Sequence, residues 1–174
     1  MLRGINLGSS RRIPMAALRA LLEQAGYDDV ATYVQSGNVV LSSTKRPATL
    51  QTEVAQLIAE RFGFAVPVTA RSAAQLAAVI DHDPIPGAAE QPKLYQVTFL
   101  DAVAPVGAVA RLQALATGDE RVAAHGRELY TWHPDGIARS RLAAGLGAPE
   151  LRAATARNWR TVTTLQRMAS APSA

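Results

Sequence analysis

The sequence predicts an α+β protein made of two tandem ferredoxin-like (β-α-β-β-α-β) plaits followed by a C-terminal helix. Three observations carry this. Thr32–Val40 sets two apolar runs on either side of Ser36-Gly37-Asn38, and Gly and Asn both tolerate the positive φ of a tight hairpin turn. Apolar residues recur at helical spacing before and after that hairpin, which gives the order β-α-β-β-α-β. The landmarks then repeat: Pro14 and Pro105 lie 91 positions apart, Gly26 and Gly118 lie 92 apart, and Gly37 and Gly126 lie 89 apart. A period this long indicates a duplicated domain rather than a solenoid.

In order along the chain, Met1–Ile5 reads as the end of a strand and Leu7–Arg12 as a loop. Pro14 suits the first turn of a helix, where its missing N–H costs nothing. Met15, Leu18, Leu21, Leu22 and Ala25 keep helical spacing up to Gly26. Strands follow over Val30–Gln35 and Asn38–Ser42. Leu50, Val54, Leu57, Ile58 and Phe62 form a second amphipathic stripe, closed by Gly63. Ala65–Thr69 is a short strand, placed at an edge because Pro67 cannot donate to a ladder. Ser72 caps a short helix. Asp83–Pro92 is rich in Pro, Gly and Ala and sets the domain boundary: a first subdomain over 1–80, a linker over 81–92, and a second subdomain with the C-terminal helix over 93–174. There, Leu94–Leu100 is a strand, Pro105 and Gly118 bracket a helix, and Val122–Ala124 and Glu128–Trp132 form a hairpin about Gly126. Ile137–Leu146 is a helix and Leu151–Ala156 the closing strand. Asn158 caps the last helix, whose Trp159, Val162, Leu165 and Met168 share one face.

Composition narrows the functional classes. The 174 residues contain no cysteine, which excludes disulfides, thiolate metal sites and a cysteine nucleophile. No apolar run approaches the roughly 20 residues of a membrane span, and no secretory leader is visible, so the expected compartment is cytoplasmic. Charge is uneven. Residues 1–120 hold 8 Arg and 2 Lys against 11 acids, whereas residues 121–174 hold 8 Arg against 3 acids, and the whole chain is +4. A basic C-terminal part suits an anionic partner. Sixteen Arg against two Lys also reads as the compositional bias of a GC-rich genome.

Three stretches are rich enough in polar groups to bind a ligand. Arg3–Arg12 places glycines, hydroxyls and arginines ahead of a helix, where free N–H groups attract phosphate or carboxylate. It lacks the Gly-Lys-Ser/Thr ending of a Walker loop, and it reads equally as a simple β–α connection. Gln35-Ser36-Gly37-Asn38 is accounted for by turn chemistry alone, yet its amides could read a ligand. Ser36 has no base nearby and no nucleophile elbow around it. In Arg157-Asn158-Trp159-Arg160, the arginines could clamp an anion and Trp159 could stack on a base, although the helical stripe assigns Trp159 to the core. His82, between Asp81 and Asp83, reads as a helix-end loop residue rather than a metal ligand. His125 and His133 read as surface residues. No catalytic triad and no acid–base pair of carboxylates is visible.

Leu2-Arg3-Gly4-Ile5-Asn6-Leu7-Gly8, Thr32–Val40 and Thr155–Val162, in this order and separation, resemble the uncharacterised bacterial family known as domain of unknown function 1697. Leu129-Tyr130, Pro134-Asp135-Gly136-Ile137 and Arg139-Ser140 fit it as well. The resemblance spans almost the whole chain. It implies two ferredoxin-like subdomains and no established activity, cofactor or substrate. Members of that family usually carry an apolar strand ahead of the Arg-Gly-Ile-Asn motif, where this chain has only Met1 and Leu2.

The functional expectation is a protein that binds a phosphate-containing or other anionic, nucleotide-like ligand between the two subdomains, through Arg3, Asn6, Gln35, Ser36, Asn38, Arg157 and Asn158. The alternatives are a nucleic-acid-binding protein, a small enzyme acting on a phosphorylated substrate, or a protein-interaction module. Only nine aromatic residues and no ribonucleoprotein signature weigh against nucleic acid. No cofactor or metal is implied. The expected partners are an anionic small molecule or nucleic acid, with no membrane, and the chain is expected as a monomer or homodimer.

Overall fold

Local sequence signals account for most elements of the computed structural model, which describes residues 1–8, 11–151 and 153–171. Among these residues the chain is α+β, with six α-helices and two antiparallel sheets. It divides into two compact units, Met1–Gln75 with Leu165–Ala174, and Leu76–Thr164. No helix among the described residues is long and apolar enough to cross a membrane.

In the first unit, α1 (Met15–Gln24) starts after Pro14, whose φ of −61° presets the turn, and buries Met15, Leu18 and Leu22. β1 (Asp28–Tyr33) and β2 (Asn38–Ser42) pair antiparallel, with Tyr33 opposite Asn38 and Ala31 opposite Val40. A bulge separates Asp28 from Ala31, where Asp29 sits at φ 52° and its carboxylate accepts the Ser42 hydroxyl at 2.7 Å. α2 (Pro47–Phe62) has Pro in its first turn and ends on left-handed Gly63, and it packs with β1 against α1. The core gathers Leu2, Ile5, Ile13, Leu18, Leu22 and Ile58.

The segments expected as strands over 1–5 and 65–69 meet only through a Leu2–Val68 bridge, with Arg3 N donating to Pro67 O (3.0 Å) and Thr69 N to Met1 O (2.9 Å). The pairing stops there for two reasons. Pro67 has no N–H to offer, and Gly4 and Asn6 turn to φ 67° and 56°, out of the extended region.

α3 (Ala73–His82) opens on a reciprocal capping box: Gln75 N donates to Ser72 Oγ (3.2 Å) while Ser72 N donates to Gln75 Oε1 (2.9 Å). Residues 81–92 hold the end of α3, a loop and a 3-10 turn at Ala88–Glu90.

The second unit continues with β3 (Tyr95–Phe99), α4 (Val106–Leu115), β4 (Arg121–His125), β5 (Glu128–Trp132), α5 (Arg141–Gly145) and β6 (Thr155–Asn158), and α6 (Trp159–Ser170) begins in it. The sheet order is β4-β5-β3-β6, and every pair is antiparallel. The α4 segment therefore joins β3 to β4 across β5, and the α5 segment joins β5 to β6 across β3. β4 and β5 meet in a two-residue turn, Gly126-Arg127, with Gly126 at φ 53°. Trp159 is buried, as its helical stripe requires, and stacks on Tyr95 with centroids 4.7 Å apart.

Several element boundaries differ from expectation, among them β1, expected over Val30–Gln35 and observed over Asp28–Tyr33. The helix expected over 137–146 is only α5, because Gly136 turns at φ 97° and Ser140 then caps the helix, accepting from Ala143 N at 2.9 Å. The closing strand starts at Thr155 rather than Leu151, after a 3-10 turn at Pro149–Leu151, and Arg152 lies outside the described residues. Helix α4 ends at Leu115, three residues before left-handed Gly118.

Candidate functional site

Of the sequence-predicted residues of the first unit, Arg3, Asn6, Gln35 and Ser36 fall on two loops that one side chain ties together. Asn6 Nδ2 donates to Ile13 O (3.0 Å) and to Gln35 O (2.7 Å), and Asn6 Oδ1 accepts from Ile13 N (2.9 Å). Its amide thus spans the Arg3–Arg12 loop and reaches the hairpin turn, and Asn6 N also donates to Arg11 O (3.1 Å). Leu2 N donates to Gly37 O (2.8 Å), which sets the half-buried Arg3 segment beside the same turn. Ser9 and Ser10 lie outside the described residues.

The turn differs from the expected Ser-Gly-Asn form. Its residues are Val34 to Gly37, and the positive φ values belong to Val34 (51°) and Gly37 (80°). Asn38 is instead the fully buried first residue of β2, its Nδ2 donating to Tyr33 O and Ser36 Oγ, both at 3.1 Å. Glycine is required at 37 for space as well as for φ: a Cβ there would lie 2.7 Å from Ile5 Cδ1 and 2.8 Å from Leu2 Cβ.

Left-handed backbone concentrates on these loops. Four described non-glycine residues have positive φ, and three of them, Asn6, Arg11 and Val34, lie here. Asn adopts this region readily, but a β-branched residue does so at a cost of about 1–3 kcal/mol. Val34 is also 51% exposed, so burial does not offset that cost. Gln35, Ser36, Arg11 and Arg12 are exposed around it.

The structure places Arg157 and Asn158 on β6 of the second unit, opposite Val97 and Gln96. Asn158 caps α6, its Oδ1 accepting from Thr161 N at 2.9 Å. Arg157 donates to Ala156 O (2.7 Å), and desolvation draws its pKa down to about 10, which leaves it cationic at neutral pH. Asn6, Asn38 and Asn158 thus hold loops and a helix end, whereas Arg3, Gln35, Ser36 and Arg157 sit at least partly open to solvent.

The second unit also holds a polar cluster that the sequence did not reveal. His133, expected at the surface, is fully buried. Its Nδ1 lies 3.0 Å from both Glu120 Oε1 and Ser140 Oγ, and its Nε2 lies 3.0 Å from Thr131 Oγ1. Glu120 also accepts the Ser140 hydroxyl, Thr117 N (3.0 Å) and Thr117 Oγ1 (3.2 Å). A carboxylate can only accept, so Nδ1 carries a proton and donates to Glu120. Desolvation raises the Glu120 pKa, but the hydrogen bonds from Ser140, His133 and Thr117 outweigh it and hold the carboxyl below its ordinary value. A serine triad needs its hydroxyl on one imidazole nitrogen and its acid on the other. Here Ser140 and Glu120 share Nδ1, so the cluster ties the α4–β4 loop to the β5–α5 connection and does not activate a nucleophile.

His82 ends α3 and stacks on His125, with ring centroids 3.7 Å apart.

The described architecture is similar to that of a solved structure titled "The structure of conserved bacterial protein SP0830 from Streptococcus pneumoniae". The match has a TM-score of 0.77 at 22% identity and covers 98% of this chain and 96% of that one, a likeness of fold. No curated protein matches the sequence. A family described as "Protein of unknown function (DUF1697)" matches residues 1–130, three-quarters of the chain, and the chain belongs to that family.

Proposed function

We propose that this protein binds a phosphate-containing or other anionic ligand, and that the loops carrying Arg3, Asn6, Gln35 and Ser36 form the receiving surface. One observation carries the reading: left-handed backbone at Asn6, Arg11 and Val34, strained at the last two, is gathered on two loops that the Asn6 side chain locks together, with Arg11, Arg12, Gln35 and Ser36 exposed on them. Strain of this kind persists only where the surroundings over-determine it, and it clusters at ligand sites. Loops on a rigid scaffold are where binding groups gather. Asn6 and Asn38 act as positioning residues in this reading, and the arginines supply the charge. The tandem-plait reading belongs to the same proposal. It is supported by the crossing α4 and α5 connections of the second unit and by the near-constant offset between Pro14 and Pro105. The cytoplasm remains the compartment we favour, on the cysteine-free composition.

The test is calorimetric titration with pyrophosphate and a nucleotide panel, on wild type and on the double variant Arg3→Ala, Arg12→Ala. Binding by wild type that the variant loses, at an unchanged melting temperature, supports the proposal. Absence of binding by wild type to every probe overturns it.

A further inference from the structure

Large apolar side chains rarely stand in water on strained backbone without a reason. Four are strongly exposed among the described residues: Leu7 (74%), Val34 (51%), Val103 and Val106. Val106 is the first residue of α4 and Val103 lies in the loop before it, both on backbone with ordinary negative φ. Leu7 and Val34 differ. Each adjoins a member of the Asn6–Gln35 hydrogen bond, so the two loops that the Asn6 amide joins each present one of them. Val34 also holds φ 51°, where glycine or asparagine would sit without penalty. A folding rationale for valine is missing on both counts, since the side chain is neither buried nor suited to its backbone. Cationic groups stand on the same loop, with Arg11 and Arg12 exposed on the loop that carries Leu7 and Arg3 half-buried on it.

From this juxtaposition we infer that Leu7 and Val34 grip the flat apolar body of a nucleoside diphosphate whose phosphates face the arginines. The inference rests on the anion-binding reading above and narrows it from any phosphate to an amphipathic one. A bare phosphate would gain nothing from two exposed aliphatic groups. A nucleobase gains apolar contact on its face, which every base possesses. Charge complementarity selects the anion and the aliphatic pair selects what the anion is attached to.

Val34→Gly tests this with little risk to the fold, because glycine takes φ 51° without strain and removes only the side chain. ADP, GDP, CDP and inorganic pyrophosphate are titrated calorimetrically into the full chain, wild type and variant. The expected result is that at least one nucleoside diphosphate binds wild type at least tenfold more tightly than pyrophosphate. Val34→Gly should then weaken that nucleotide about tenfold, the worth of one buried aliphatic group, while pyrophosphate binding and the melting temperature do not fall. If pyrophosphate binds wild type as tightly as all three nucleotides, or if Val34→Gly leaves nucleotide affinity unchanged, the inference is overturned while the anion-binding reading stands. If no probe binds wild type, both are overturned.

Discussion

Replacing Glu120 with alanine should unfold the second unit far more easily. The carboxylate accepts from four groups: Thr117 N, Thr117 Oγ1, the Ser140 hydroxyl and His133 Nδ1. Glu120 is 8% exposed and His133 0%, so water cannot replace the missing acceptor without opening the fold. Hydrogen bonds to a charged group are worth about 1.5–3 kcal/mol, and an unpaired buried donor costs about 1–3 kcal/mol. Losing these bonds while leaving at least one buried donor unpaired amounts to about 3–5 kcal/mol, and we expect that range for Glu120→Ala. Glu120→Gln keeps the shape but turns donors toward donors, and should cost about 2 kcal/mol. Urea denaturation followed by tryptophan emission reads this unit selectively, since both tryptophans, Trp132 and Trp159, lie in it. The pH dependence has a defined sign. Glu120 is held below its ordinary value of 4.5, so the folded unit binds fewer protons than the unfolded chain. The stability it contributes is therefore complete above that value and is lost as pH falls through the lowered folded pKa, which narrows the gap between wild type and Glu120→Gln in acid. His133, Ser140, Thr117 and Thr131 are the groups packed around this exchange. A loss below about 1 kcal/mol for Glu120→Ala at neutral pH, with an unchanged denaturant slope, would refute the reasoning.

Four further outcomes are expected from denaturation midpoints. Thr98→Val should gain about 1 kcal/mol, because Thr98 Oγ1 is buried in β3 without a hydrogen-bond partner and valine keeps its shape. Gly37→Ala should lose about 2–4 kcal/mol, from left-handed strain and from the collision with Ile5 and Leu2. Val34→Gly should gain about 1 kcal/mol by relieving φ 51°, a stabilisation that would be absent if that backbone were unstrained. Asn158→Ala should lose about 1 kcal/mol with the cap of α6.

What was legible in the sequence was what local chemistry encodes. Pro14 and Gly63 marked helix ends, Ser72 and Asn158 marked caps, and the stripe through Trp159, Val162 and Leu165 marked a buried face. What escaped depends on distant neighbours. Asn38 has the residue type of a turn but is consumed by Tyr33 O and Ser36 Oγ across the hairpin, so the turn shifted back onto Val34. His133 reads as a surface residue, yet Glu120 and Ser140, thirteen positions before it and seven after, satisfy it inside. The candidate site divides in the same way. Its polar residue types were visible, but the stitching role of Asn6 and the exposed aliphatic pair are products of loop geometry that no spacing rule contains.

The sheet of the second unit has consequences for handling the protein. β4 is a terminal strand whose outward positions are solvent-accessible, and such an edge can recruit the same edge of another copy into a continuous ribbon. Arg121 at its start, paired with Asp119 at 3.5 Å, and the half-buried Arg127 just past its end place charged, hydrated groups at both ends of that edge, which disfavours such pairing. Concentrated salt would screen these charged groups without loosening the fold, and should promote aggregation of native protein.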